Sequence, residues 1–110
     1  MATLSQQAQQ VAKSYVKKIR SRIAVRQALL FGSAARDTMH KDSDIDLIVL
    51  SDDFKQMDLT ERLMMLSRLR GREFISWPMD ILGYTPEEFE KLASISSMFA
   101  EAKRQGIIVS

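Results

Sequence analysis

Apolar positions near the start of the chain recur at helical steps. Ala8, Val11, Ala12, Tyr15, Val16, Ile19 and Ile23 follow one another at intervals of three and four, while Lys13, Lys17 and Arg20 lie off the stripe. This pattern predicts an amphipathic helix. Basic residues in its last turns suit the negative end of the helix dipole. The segment Val25 to Phe31 contains the apolar run Ala28-Leu29-Leu30-Phe31 and stops at Gly32. It reads as a buried strand, although its period alone does not separate a strand from a helical turn. Ser33 to Arg36 could open a short helix, and the polar stretch Thr38 to Ser43 reads as a loop.

The clearest strand is Asp44-Ile45-Asp46-Leu47-Ile48-Val49-Leu50. It begins by alternating and then becomes continuously apolar, as expected of an interior strand covered on both faces. Ser51-Asp52-Asp53 ends it. Leu59, Leu63, Leu66 and Leu69 predict a second helix stopping near Gly71, and Trp77 to Leu82 a third strand. Pro78 fits only its beginning or an edge, because it donates no ladder hydrogen bond. A last helix follows. Thr85 is its N-cap, Pro86 its first residue and Glu88 the partner in a capping box. Phe89, Leu92, Phe99 and Lys103 carry it on to Gly106. Ile107-Ile108-Val109 suits a short edge strand. The alternation of helices and strands predicts an α+β fold, a small mixed β-sheet of three or four strands with helices packed on it. It leaves the strand order undetermined.

Composition narrows the possibilities. With 110 residues and 45% hydrophobic content, the chain reads as a single domain over residues 1–110 with one real core. Large multi-domain enzymes and disordered chains are excluded. Sixteen basic residues against fourteen acidic ones give a formal charge of +2, too balanced to argue for nucleic acid. The absence of cysteine excludes disulfides, thiol catalysis and thiolate metal sites. No stretch approaches the roughly 20 apolar residues of a membrane span, and the first residues lack the order of a signal peptide. A cytoplasmic protein is the expectation.

Three features carry candidate chemistry. Gly32-Ser33 ends an apolar strand where a helix could begin. Glycine permits close backbone approach, helix N-termini offer N–H groups to phosphate, and serine adds a hydroxyl. Taken alone, Gly-Ser is an ordinary turn. Asp44 and Asp46 flank Ile45, so on a strand both carboxylates share one face. Crowded carboxylates repel, and a hard divalent cation such as magnesium relieves the repulsion. The competing reading is a solvated strand start. Asp80 stands within the apolar run Trp77 to Leu82, where an unpartnered carboxylate is costly to bury. If its strand neighbours the Asp44–Asp46 strand, three carboxylates can meet and hold two metal ions about 4 Å apart for in-line displacement at phosphorus.

The spacing of these residues resembles a known signature. Gly32-Ser33, ten intervening residues, then Asp44-Ile45-Asp46 is similar to the motif of the DNA polymerase β-like nucleotidyltransferases. The variant Phe31-Gly32-Ser33-Ala34-Ala35-Arg36 with Ser43-Asp44-Ile45-Asp46-Leu47 resembles their minimal nucleotidyltransferases, as does Asp80-Ile81-Leu82-Gly83-Tyr84-Thr85-Pro86-Glu87-Glu88-Phe89. The likeness spans residues 25 to 90. It implies that Asp44, Asp46 and Asp80 are catalytic and bind magnesium, two ions in all, with Asp80 near the attacking hydroxyl. It implies that Gly32 and Ser33 hold a nucleoside triphosphate, with Arg36 a further phosphate contact. The implied reaction moves AMP from ATP onto a hydroxyl and releases pyrophosphate. In the minimal group the acceptor is a tyrosine of a HEPN-domain toxin, an RNase, which the modification silences. The small protein is then an antitoxin.

Asp37 departs from the pattern, since the family often has glycine there. His40 is a loop histidine with no partner apparent in the sequence. Met64 and Met65 read as core filler beside the leucines. Met98 and Phe99, or residues 107–109, read as core or as a partner surface. Arg68, Arg70 and Arg72 read as a solvated helix end. Two further functions compete with the leading one: an antitoxin that only covers its toxin, and transfer to a small molecule. The second usually needs an additional helical domain. The sequence leaves nucleotide preference, acceptor and oligomeric state, a homo-oligomer included, undetermined.

Overall fold

The computed structural model describes all residues, Met1–Ser110. Four strands, β1 (Gln27–Phe31), β2 (Ile45–Leu50), β3 (Met79–Tyr84) and β4 (Ile107–Ile108), form one sheet in the order β3-β2-β1-β4. β2 runs antiparallel to β1 and parallel to β3, and β1 runs antiparallel to β4. The sheet is therefore mixed, as the sequence predicts. The helices are α1 (Leu4–Ile19), α2 (Leu59–Arg70), α3 (Pro86–Ile95) and α4 (Ser97–Gln105). α2 lies in the crossover between the parallel strands β2 and β3, which a hairpin cannot join.

β2 is interior and its two faces meet different helices. Ile45, Leu47 and Val49 join Ala28, Leu30 and Ile81 in a cluster closed by Ala12, Tyr15 and Val16 of α1 and Leu66 of α2. Ile48, Leu50 and Leu29 meet Phe89 of α3 and Phe99 and Ala102 of α4. The continuous apolar run of β2 has this cause: every residue from Leu47 to Leu50 is buried against one layer or the other. The buried Tyr15 hydroxyl donates to the carbonyl of Leu66 at 2.7 Å and ties α1 to α2. Loss of solvent around it pushes its pKa up.

Several boundaries differ from the sequence reading. α1 ends at Ile19, not at Ile23, and Ile23 reaches the core from the turn beyond the helix. Its N-terminal capping box, Thr3 with Gln6, was not anticipated. β1 begins at Gln27, β2 at Ile45 and β3 at Met79. The expected single last helix is two helices broken at Ser96, whose backbone is extended (φ −126°, ψ 126°). Geometry explains the break. In one straight helix Phe89 and Phe99 would point about 80° apart at 100° per residue. The break turns both onto the sheet, where their rings meet edge to face at 6.3 Å.

Arg62 of α2 is the main polar tie between layers. Only 5% exposed, it donates from Nε to the Met57 carbonyl and from Nη2 to that of Phe54, at 3.0 and 2.7 Å. It also bonds the Gly83 carbonyl at 3.2 Å and both oxygens of Glu88 at 2.7 and 3.1 Å. Glu88 in turn completes the α3 capping box with Thr85. One guanidinium thus joins α2, β3, α3 and the turn around Phe54. Its hydrogen bond, helped by Thr85, holds the Glu88 carboxyl below the usual range despite some desolvation.

Arg62→Ala should therefore destabilise the fold by about 3 kcal/mol in urea unfolding at pH 7, since it strips partners from three carbonyls and a carboxylate. Glu88→Gln should cost less, about 1 kcal/mol, because the carboxylate is partly screened by solvent. The Glu88 contribution is present above the ordinary carboxylate pKa and is lost as pH falls through its lower folded value. The gap between parent and Glu88→Gln unfolding midpoints should accordingly close on acidification. A gap independent of pH would contradict the assignment.

Candidate active site

The site forms where β1 ends beside the start of β2. Gly32 leaves β1 with φ +70° and opens a 3-10 turn, Gly32–Ala34, in which the N–H groups of Ala35 and Arg36 return to the Gly32 carbonyl, both at 3.2 Å. This tight turn stands where the sequence suggested a short helix over 33–36. Two constraints require glycine at its head. Positive φ is costly for other residues, and a Cβ here would run into the Asp46 carboxylate oxygen.

Strand register assembles the remaining parts. Asp46 lies opposite Phe31 on β1 and opposite Asp80 on β3. Asp44 directly precedes β2, in phase with Asp46, and is exposed. The fold thus brings Asp46, Asp80 and the Gly32-Ser33 turn to one corner of the sheet, with Asp44 at its entrance. Desolvation raises the Asp46 pKa, and the nearby charges of Asp80 and Asp44 add to it, while Arg36 opposes them. Arg36 is exposed and its guanidinium lies 3.7 Å from Glu101 of α4. Asp37 has φ +56°, a left-handed conformation that explains why glycine suits this position. His40 serves its loop: its Nδ1 accepts the Asp42 N–H at 3.3 Å.

The donor set suits a hard cation. Every nearby anionic ligand is a carboxylate oxygen, and the mutual repulsion at Asp46 is of the kind a divalent ion relieves. The side chains as they stand are not drawn into a closed cage, for no group of three acidic or histidine side chains has metal-binding geometry. Magnesium typically keeps waters and shares its shell with substrate phosphates, so a partial protein set is compatible with it.

Two separate concavities are lined in part by these aspartates. One, of about 200 Å³, lies between the Gly32 turn and α4, with Phe31, Gly32 and Asp46 on one wall and Met98, Glu101 and Gln105 on the other. The other runs along the β3 edge and α2, where Asp80 is joined by Leu63, Ser67 and Arg70. The sequence reading did not single out Glu101 or Gln105. Their one available signal was spacing, since positions 98, 101 and 105 share a face of a helix.

A mixed sheet presenting paired aspartates beside a glycine-serine turn is the architecture of a nucleotidyltransferase. The profile of the nucleotidyltransferase domain matches residues 12–104, and the chain belongs to that family. No curated protein matches the chain. Among solved structures, a candidate nucleotidyltransferase from Sulfolobus solfataricus shares the fold with a TM-score of 0.67 and 19% identity. That alignment covers 98% of this chain and 87% of the other. A toxin–antitoxin structure with AMP-PNP aligns with a TM-score of 0.57 and 22% identity, over 91% of this chain and 72% of that one. No helix is long and apolar enough to cross a membrane.

Substitutions in the turn should separate its two constraints. Gly32→Ala should cost roughly 1–3 kcal/mol, from the unfavourable φ and from displacement of Asp46. Asp37→Gly should instead raise stability slightly, by about 0.5 kcal/mol, because it relieves only the backbone. Urea unfolding checks both. A neutral Gly32→Ala would show that the turn does not require glycine.

Proposed function

We propose that this chain is a magnesium-dependent nucleotidyltransferase that moves AMP from ATP onto a tyrosine hydroxyl of a HEPN-domain toxin, acting as its antitoxin in the cytoplasm. The observation that carries the reading is the register of β2 and β3, which sets Asp46 opposite Asp80 beside the Gly32-Ser33 turn. The family match supports nucleotidyl transfer in general. The toxin–antitoxin neighbour supports a toxin as partner, and the AMP-PNP named with it supports an adenine nucleotide.

In this mechanism Gly32, Ser33 and Arg36 bind the triphosphate. Gly32 allows close backbone approach, Ser33 supplies a hydroxyl, and Arg36 neutralises phosphate charge. Asp44, Asp46 and Asp80 are the magnesium ligands. Magnesium held by them would supply charge stabilisation on the phosphates and would make the acceptor hydroxyl more acidic. Asp80, at the open edge of the sheet, takes the proton of the acceptor hydroxyl. The hydroxyl oxygen bonds to the α-phosphorus as the bond to the β-phosphate bridging oxygen breaks, and pyrophosphate departs. Holding the reacting groups in line and meeting their developing charge accounts for most of such catalysis.

The reading is tested with α-labelled ATP, magnesium and the protein that copurifies with this chain. Label should appear on the partner and should fall at least about a hundredfold with Asp44→Asn, Asp46→Asn or Asp80→Asn. Circular dichroism should show that each variant remains folded. Undiminished transfer by the Asp80→Asn and Asp46→Asn variants would overturn the assigned mechanism. A stable complex that gains no label, yet still silences the toxin, would point to an antitoxin that works by covering its partner.

A further inference from the structure

We propose that the free edge of β3 is where the acceptor docks: an extended segment of the partner protein adds to the sheet as a further strand and sets its tyrosine beside Asp80. This docking mode rests on the nucleotidyl-transfer reading and specifies how the acceptor is held.

β3 ends the sheet, with β2 on one side and no strand on the other. The carbonyls of Pro78 and Tyr84 accept from the N–H groups of Ile45 and Ser51 on the β2 side. Backbone groups alternate in direction along a strand. The even-numbered residues of β3 therefore serve β2, and Met79, Ile81 and Gly83 turn outward. Gly83 bears out this phase, since its carbonyl meets Arg62 of α2 instead of β2. The N–H groups of all three, and the carbonyls of Met79 and Ile81, are left without a strand partner. Protected edges carry lysine, proline or a bulge. Here Pro78 stands only at the mouth, the register runs in step from Met79 to Tyr84, and the sole charge between them is Asp80. An edge of this kind is suited to strand addition.

Register decides what an added strand delivers. Paired residues on neighbouring strands share a face, which is how Asp46 and Asp80 come together. The residue opposite Asp80 on an added strand joins the same row on the same face. In antiparallel addition Met79 and Ile81 form the hydrogen-bonded pairs. Asp80 then falls at the intervening pair, where Cα atoms are about 4.5 Å apart and side chains are closest. A tyrosine there stands next to Asp80 as Asp80 stands next to Asp46. It also lies on the side of β3 away from β1 and the Gly32-Ser33 turn, so it does not compete with the triphosphate.

The other face of the added strand meets α2. Leu59, Leu63, Ser67 and Arg70 recur at helical steps and line two concavities that follow one another along the β3 edge and share Leu63. One, of about 200 Å³, lies beside Met79 to Ile81, and the other, of about 70 Å³, beside Leu82 to Tyr84. Leu59 and Leu63 are apolar yet 58% and 49% exposed. The residues on either side of the tyrosine point toward them, so the segment that fits carries apolar side chains next to its tyrosine. The toxin–antitoxin neighbour supports a protein partner to supply it. A second copy of this chain fits the edge less well. Antiparallel pairing about Ile81 would set Met79 against Gly83 of the other copy, whose carbonyl Arg62 already occupies, and Asp80 against an apolar Leu82.

The experiment follows amide hydrogen exchange by NMR on the full chain, alone and in complex with the protein that copurifies with it, alongside transfer of label from α-labelled ATP. The amides of Met79, Ile81 and Gly83 should exchange at least about tenfold more slowly in the complex, while those of Asp80, Leu82 and Tyr84, already bonded to β2, change little. Met79→Pro and Leu63→Glu should each raise the KM for the partner about tenfold and leave magnesium-ATP affinity within about twofold by calorimetry. Proline removes the outward N–H of Met79 without touching the β2 ladder, and Leu63 is half exposed. Thermal unfolding checks both folds. Label transfer with no slowing at Met79 and Ile81, or with both variants at the parental KM, overturns the docking mode and leaves nucleotidyl transfer standing. Slowing of the same amides in the isolated chain as its concentration rises assigns the edge to a second copy and also overturns it. A parent chain that transfers no label to the partner overturns the nucleotidyl-transfer reading, and the acceptor assignment with it.

Discussion

The burial of β2 on both faces is the constraint from which the site follows. A strand slipped by one residue exchanges the side chains on its two faces. In β2 such a slip would drive the Asp46 carboxylate into the layer now filled by Leu47 and expose hydrophobic side chains in return. The cost holds the register firmly. Register then sets Asp46 beside Asp80 across the parallel ladder and beside Phe31 across the antiparallel one. The apolar run that forms the core is thus also the device that positions the polar corner.

That corner is locally unfavourable in several ways at once. Asp46 is partly desolvated near two other carboxylates. Asp37, five residues beyond Gly32, holds a positive φ that is costly for a residue with a Cβ. Such features persist when the surrounding structure over-determines them, and they gather at functional sites. Here the support comes from the two hydrophobic layers and from Arg62, whose five hydrogen bonds unite elements on both sides of the β3 edge. Arg62 is far from the aspartates in sequence and has no part in the chemistry, yet it fixes the strand that carries Asp80.

Much of this was legible in the sequence because different signals agreed. The apolar run after Asp46 indicated an interior strand, and Thr85, Pro86 and Glu88 marked the start of α3 correctly. The mixed sheet with helices on it was also as expected. The break at Ser96 was not legible, because no proline or glycine marks it. It arises from the need to turn Phe99 toward Phe89 and Tyr84, a tertiary demand that overrides local helix preference. Ile23 misled for a related reason, since a residue just beyond a helix can reach the core as well as one within it. At the candidate site, spacing and residue type single out Gly32, Asp46 and Asp80, and the strand register brings these three together. Glu101 and Gln105 were not legible, because their place beside Gly32 depends on α4 folding back over the end of β1, which their helical spacing alone does not encode.

The connection between α4 and β4 has a consequence for how the molecule breathes. α4 passes through Gly106 directly into β4, which pairs with β1 through Leu29 with Ile108 and Leu30 with Ile107, and beyond it the Val109 N–H donates to the Ala28 carbonyl at 3.0 Å. A two-residue edge ladder sits at the low end of the range of local opening energies, far below global unfolding. The wall that carries Glu101 is therefore followed by the shortest ladder of the sheet, while Asp46 stands on an interior strand paired on both sides. Fraying of that last ladder loosens one side of the cavity and leaves the paired aspartates in place. Access and chemistry are in this way assigned to parts of the chain with very different tenacity.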